Sequence, residues 1–536
     1  MAWLHTWCSL WACWVLFAIF LTGTLGVFDE AITRWMKPGL APKAELAQMD
    51  TDRVGAIRKA QEHLEQVAPR GHFWSVALPG KDDPAIRVFW EDDKEQFKQA
   101  RLDPSTGKPV GKDGERETEG GHHFVHMHYE FHAGTAGIYL VGAFTMAMLV
   151  AMVSGIVIHK RIFKDFFTFR PRKAQRSWLD AHNAVAVLTL PFQLMIAYTG
   201  LVIFYIVYMP AGIHANYPSI EAFATEARSQ PAHRDQTHIA APTVRLESLV
   251  AQAEQRLGRK AGFVFVEHPG DTSASVRVFG PFDEGEGENF LLMPGGGSMT
   301  FDGTNGEILD VYMPRTQRGG GAMITQRTMS VLHTATFGGY AIKWLYFFCG
   351  LAGTAMMGSG AILFMVKRRQ KALNEFGAST QRVYRWIDVL NTAAIAGLTV
   401  ACVAYLWANR LVPVGIEQRA KTEIGIFFAI WALSVVHAAL RPRLNAWFEQ
   451  LVVAALLCVC LPLLNWATTG KQFVDYLLAE DWTRAGVEIS TVVFGVLLAR
   501  AAWLVRRKMS ESVRRRTVYV PESRPAASAA SEVGVL

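Results

Sequence analysis

The sequence holds only six cysteines, and none lies in its long polar stretches. Cys8, Cys13, Cys349, Cys402, Cys458 and Cys460 all fall inside or at the edge of apolar runs. A disulfide framework suited to an oxidising compartment is therefore excluded. No CxxC or CxxCH occurs, which removes iron–sulfur ligand sets and covalently attached c-type haem. Nucleotide motifs are lacking too: "PGGGS" at 294–298 and "RGGGA" at 318–322 have no strand–glycine–helix context. No acid–base or nucleophile constellation is evident, and the apolar runs are poor in acidic and basic residues.

What the chain has in abundance is apolar residues, 51% of 536. Candidate membrane spans lie near 7–28, 134–158, 183–208, 339–366, 386–408, 423–440, 447–466 and 485–505, so the sequence predicts an integral membrane protein with about eight helices in the bilayer. The net charge of +7 is no nucleic-acid signal, because the basic residues sit in short loops. These are "HKRIFKDFFTFRPRKAQR", "KRRQKALNEFGASTQRVYR", "RPR" and "RRKMSESVRRR". The positive-inside rule makes these loops cytoplasmic, puts both termini in the cytoplasm, and turns two large segments to the other side of a bacterial inner membrane. The first span lacks a basic n-region and a cleavage site and reads as a retained anchor.

The first half of the chain repeats itself. His5 lies eighteen residues before Gly23 and His182 eighteen before Gly200, each glycine preceded by threonine. The second span opens "HAGTAGIYL" and the fourth "HTATFGGYA", and both later reach Ser-Gly, at Ser154-Gly155 and Ser359-Gly360. The polar inserts match as well: "AIRVFW" precedes "RLDPSTGKPV", and "SVRVFG" precedes "TFDGTNGEIL". Each follows a helical stretch, "RVGAIRKAQEHLEQ" or "RLESLVAQAEQRLG". Alternating apolar residues predict strands and the Asp/Gly-rich segments predict turns. Each insert thus reads as a small α+β module with one helix on a short antiparallel sheet, and helix–module–helix occurs twice in parallel.

Those features, with "LHTW", "FLTGTLGVFDE", "SGIVIHKRIFKDFFTFRPR" and "DAHNAVAVLTLPFQLMIAYTG", resemble the PepSY-associated transmembrane family over roughly residues 1–370. The resemblance implies an all-α membrane bundle with two inserted periplasmic PepSY-type modules. The layout would be helix 1–28, module 29–127, helix 128–160, basic loop 161–180, helix 181–208, module 209–330, helix 331–367 and loop 368–385. A four-helix region 386–508 with few intramembrane charges and a disordered tail 509–536 complete it. Some members of the family are haem-containing reductases of ferric siderophores.

A b-type haem needs two axial imidazoles on facing helices and small residues beside the macrocycle. The repeat offers two pairs: His5 with His182 at the cytoplasmic ends of spans one and three, and His132 with His333 at the external ends of spans two and four. On the first helix Trp3, Trp7, Trp11 and Trp14 form one stripe, which read as lipid-facing turns His5 inward. His128 competes with His132 on one helix face, and the repeat favours His132. His159 rivals His5 as partner of His182. His122, His123 and His126 read as polar lead-in residues or adventitious metal ligands, and His437 as structural.

The expected cofactors are two bis-histidine haem b groups, with His5, His132, His182 and His333 as iron ligands. The expected activity is that of an oxidoreductase: electrons pass outward from an unidentified cytoplasmic donor to a periplasmic ferric siderophore or other ferric chelate, and Fe2+ is released for uptake. No catalytic side chain is required. Arg315, Arg318 and Arg327 around Gly319–Gly321 form a basic lip that attracts an anionic complex or a plain linker; Asp29 and Glu30 touch iron or end a helix. The rival readings are a siderophore or iron transporter using the Pro191-interrupted span, and a membrane-anchored PepSY peptide-binding regulator.

Overall fold

A computed structural model describes residues 2–39, 53–79, 85–91, 97–109, 116–158, 174–220, 222–223, 234–280, 297–313, 320–371 and 377–517. Among the described residues, seven helical segments are long and apolar enough to cross a membrane: Gly134–Val157, His182–Ile203, Gly339–Met365, Gly377–Leu411, Arg419–Leu440, Arg443–Thr469 and Trp482–Glu511. The first predicted span is an eighth of a different kind, because Leu10–Gly26 bends by 70° into Asp29–Met36. The protein is thus a multi-pass helical membrane protein.

The first half contains helices α1 (Ala2–Gly26), α2 (Asp29–Met36), α3 (Arg53–Val67), α4 (His122–Tyr129), α5 (Gly134–Ile158), α6 (Ala174–Ile203), α7 (Leu246–Leu257), α8 (Gly320–Thr334) and α9 (Gly339–Lys371). Helix α1 packs on α5 and α9, and α6 packs on the same two, which closes a four-helix ring. The short helix α4 leans on α1, and α8 leans on α6. Each repeat unit therefore delivers a lead-in helix against the opening helix of its own unit.

The aromatic stripe on α1 does not all face outward. Trp11 is exposed, whereas Trp14 donates from Nε1 to Asn391 Oδ1 at 2.6 Å. Asn391 is a buried polar group beside the stripe, and pairing with it outweighs the lipid-facing position of the indole.

The two inserts do not form two separate sheets. Strands β1 (Phe73–Ala77), β2 (Ile86–Glu91), β3 (Phe97–Leu102), β4 (Phe263–Glu267), β5 (Ser275–Phe279), β6 (Ser298–Asp302) and β7 (Ile308–Tyr312) make one antiparallel sheet in the order β3-β2-β1-β4-β5-β6-β7. The junction pairs Phe73 with Glu267, Ser75 with Phe265 and Ala77 with Phe263. That register is self-complementary about Ser75 and Phe265, as expected of duplicated units meeting around a pseudo-twofold axis. Helices α3 and α7 pack together over the sheet, and one apolar core serves both halves.

Trp74, Val76, Val264 and Val266 at the junction are fully buried, each worth about 1.5–3 kcal/mol relative to exposure. Joining the halves also removes two bare strand edges. The duplicated turns match in detail. Asp103 accepts from Ser105 N at 2.7 Å and Thr106 N at 3.0 Å, and Asp302 accepts from Thr304 N at 2.9 Å and Thr304 Oγ1 at 2.6 Å.

The remaining helices are α10 (Thr380–Thr392), a π-helical turn Ala393–Gly397, α11 (Leu398–Leu411), α12 (Arg419–Leu440), α13 (Arg443–Thr469) and α14 (Trp482–Thr517). Contrary to the expectation of few charges there, Arg410, Arg419, Glu423, Asp481, Arg484 and Glu488 are all buried. They collect at the end of the helices nearest α2, where partners are at hand. Arg419 donates to Glu117 O at 2.8 Å and pairs with Glu423, and Arg484 donates to Arg34 O at 3.0 Å. These charges tie the four helices to the first half of the chain.

Candidate functional site

Two threonine–glycine pairs organise the end of the bundle nearest the sheet. In α1, Ile19, Thr22 and Gly23 lie on one face, and Ile196, Thr199 and Gly200 repeat the pattern in α6. An imidazole rests on each glycine. A Cβ at Gly23 would stand 2.5 Å from His128 Nδ1, and one at Gly200 would stand 2.8 Å from His333 Cε1. Only glycine lets the rings lie this close to the helix backbone.

The seated histidines are equivalent in the repeat. His128 comes one residue before the end of α4 and six before Gly134, which opens α5; His333 comes one before the end of α8 and six before Gly339, which opens α9. Both opening glycines have positive φ, 55° and 57°. His128 Nδ1 donates to the Ile19 carbonyl at 2.8 Å. His333 Nδ1 lies 3.1 Å from Thr199 Oγ1. Occupied Nδ1 positions fix the ring orientation and leave Nε2 as the open donor atom.

The rings of His128 and His333 face each other with centres 5.9 Å apart and planes tilted by 35°. The expected partner of His333 was His132, and the structure puts His128 there instead. Counted from the ends of the lead-in helices rather than from "HAG" and "HTA", the position equivalent to His333 is His128.

His132 lies in a different cluster. Its Nε2 is 2.9 Å from His123 Nδ1, its ring is 5.3 Å from that of His126, and Glu119 completes a group whose ligand atoms lie within 4.8 Å of one another. His126 bonds Glu130 at 2.6 Å and Tyr129 OH at 3.0 Å. Of the two sequence readings of His123 and His126, lead-in residue or adventitious metal ligand, the grouping of His123 with Glu119 and His132 fits the second, and the signal in the sequence is a carboxylate with several histidines inside the fourteen residues "EGGHHFVHMHYEFH".

At the opposite end of the ring His182 Nδ1 lies 3.1 Å from Ser359 Oγ, and a Cβ at Gly360 would be 3.5 Å from its Cε1. Ser359-Gly360 thus lies against the His182 imidazole, its hydroxyl within hydrogen-bond reach and its glycine at ordinary van der Waals distance. The side chain of His5, all of His159, and Arg315, Arg318 and Gly319 lie outside the described residues. His437 pairs with Glu449 at 2.8 Å, as a structural residue does. Asp29 and Glu30 open α2 as its first-turn acids, where they favour the helix dipole.

A bundle of this kind, duplicated around paired histidine seats, defines a class of multi-pass membrane protein. A family model described as "PepSY-associated TM region" matches residues 2–367, and the chain belongs to that family. It is similar to an uncharacterized protein of Pseudomonas aeruginosa, PA4219, with 22% identity over 406 residues, covering 72% of this chain and 94% of that one.

Proposed function

We propose that this protein is an inner-membrane di-haem electron-transfer protein that reduces a periplasmic ferric siderophore or related ferric chelate with electrons from the cytoplasmic side. In this reading the joined sheet is a fused pair of PepSY modules in the periplasm, and both termini are cytoplasmic. The observation that carries the proposal is the His128–His333 pair, whose ring centres are 5.9 Å apart, close to the roughly 6 Å expected of two imidazoles that would hold one metal from opposite sides at about 2 Å each.

His128 and His333 would hold the external haem b, and His182 would hold the cytoplasmic one with His5 or His159. Haem bound at these seats supplies one-electron exchange. The chain's own part is to fix the imidazoles: the Ile19 carbonyl and Thr199 hold Nδ1, and the glycines admit the rings without displacing the helices. On α6 the His182 position and the Gly200 seat are eighteen residues apart, a rise of about 27 Å. The two ligand levels thus span most of the membrane's hydrocarbon layer.

The transporter reading gains nothing from the buried charges of α11–α14, because they bond to backbone carbonyls and to one another. The test is an absorption spectrum of the detergent-purified protein, oxidised and dithionite-reduced, with haem quantified per chain. Two b-type haems per chain and anaerobic reoxidation by a ferric chelate are expected. A protein from haem-replete cells with no Soret band would overturn the proposal.

A further inference from the structure

The cluster built from Glu119, His123 and His132 has no role as a haem seat, and its construction is unusual. Phe131 and His132 both take left-handed backbone conformations, φ 50° and 53°, which non-glycine residues avoid at a cost of order 1 kcal/mol or more each. The tight turn folds His132 back over His123 so that their rings stack with centres 5.0 Å apart. His123 is fully buried. Its ring is walled by Tyr405 of α11 at 4.2 Å and Phe427 of α12 at 4.6 Å. Tyr405 OH donates to Gly120 O at 3.0 Å, which holds the Glu119–Gly120 segment against that wall.

One carboxylate oxygen of the cluster, Glu119 Oε2, is buried without a hydrogen-bond partner. Such an orphan is costly unless a ligand meets it. The 2.9 Å between His123 Nδ1 and His132 Nε2 is close to the roughly 3 Å between adjacent donors on one ion at bond lengths near 2.1 Å. The three ligand atoms, within 4.8 Å of one another, lie slightly wider than a bound ion would draw them.

We propose that Glu119, His123 and His132 form a binding site for one divalent first-row transition-metal ion. Two imidazoles and one carboxylate suit Fe2+, Co2+ or Mn2+ with open coordination positions; they are the wrong set for Ca2+ or Mg2+, which prefer all-oxygen shells, and for Cu+, which prefers thiolates. That Fe2+ is the natural occupant rests on the reductase reading. The site would then receive the ion released beside the His128–His333 seat, on the segment that joins the sheet to α4. The metal site itself stands without that reading. It also assigns work to the C-terminal helices, whose Tyr405 and Phe427 shape one wall.

The experiment uses the full chain in detergent, purified through a histidine-free tag, stripped with chelator and titrated anaerobically with Co2+ as a spectroscopic probe and with Fe2+. Visible ligand-field bands, metal per chain and the haem spectrum are read together. One tightly bound ion per chain is expected. E119Q, H123A and H132A should each weaken it about ten-fold or more and leave the haem spectrum unchanged, whereas H128A should spare the ion. E119Q serves where H123A, at a buried position, fails to fold. Absence of binding to the wild-type protein, or unchanged affinity in E119Q and H132A, would overturn the site. Loss of haem in H132A with retention in H128A would also overturn it, because His132 would then belong opposite His333. Metal binding by a protein that carries no haem would sustain the site and defeat the reductase reading.

Discussion

His128 and His333 stand ring to ring, 5.9 Å between centres, each resting on the glycine of a Thr-Gly pair from a different helix. The pair joins the two halves of the duplication at one point, since His128 leans on α1 and His333 on α6.

Removal of either member should remove the same spectral species. H128A and H333A are expected to lose one b-type haem per chain and to retain the other, while H132A keeps both. Difference spectra and pyridine haemochrome titration of the three variants decide this; full haem content in H128A would return the assignment to another histidine.

The glycine seats make a finer prediction. A methyl group at Gly200 must displace the His333 ring, because the added atom would stand 2.8 Å from it. G200A should lower haem occupancy or shift the midpoint potential of one haem. G486A serves as control, because a Cβ there meets nothing within 4 Å.

His182 is tested at the other end of the ring. H182A should remove the species that H333A spares, and H182A/H333A should lack haem altogether. S359A, which removes the hydroxyl 3.1 Å from His182 Nδ1, should shift the potential of the H182-dependent haem without losing it.

Buried charges at the C-terminal helices should be sensitive to half-removal. E423Q leaves Arg419, fully buried, facing an uncharged partner. The expected cost is about 3–5 kcal/mol, seen as a lower midpoint in thermal scanning of the detergent-solubilised protein. R419M/E423L should recover much of the loss.

In the sheet, burial raises the Asp302 carboxyl, but hydrogen bonds from Thr304 and Arg234 outweigh it and bring the pKa down to about 2. A depressed carboxylate stabilises the fold fully above its unfolded value near 4, and that contribution fades as pH falls toward 2. D302N should therefore cost about 2 kcal/mol near neutrality, and its difference from wild type should shrink between pH 4 and 2. A pH-independent difference would assign the effect to lost hydrogen bonds alone.

Much of this architecture is legible along the chain. Apolar runs long enough to cross a bilayer announce themselves, because a single segment in hydrocarbon satisfies its own backbone only as a helix. The eighteen-residue spacings from His5 to Gly23 and from His182 to Gly200 mark a duplication, and the helix, strand and turn segments of each insert fall where periodicity and turn chemistry put them.

Which histidine faces which is a matter of tertiary structure. His128 and His132 are four apart and share one helical face on paper, yet the chain breaks its helix after Tyr129 and sends His132 backwards through left-handed geometry. A short turn of that kind has no periodic signature. The joining of two inserts into one sheet is equally silent in the sequence, because β1 and β4 are nearly two hundred residues apart and their pairing is decided by edges that only the assembled bundle brings together. The buried arginines of α11–α14 belong to the same category: Arg410 and Arg484 bond backbone carbonyls of α2, and Arg419 one in the segment before α4, groups present in every residue and selected only by packing.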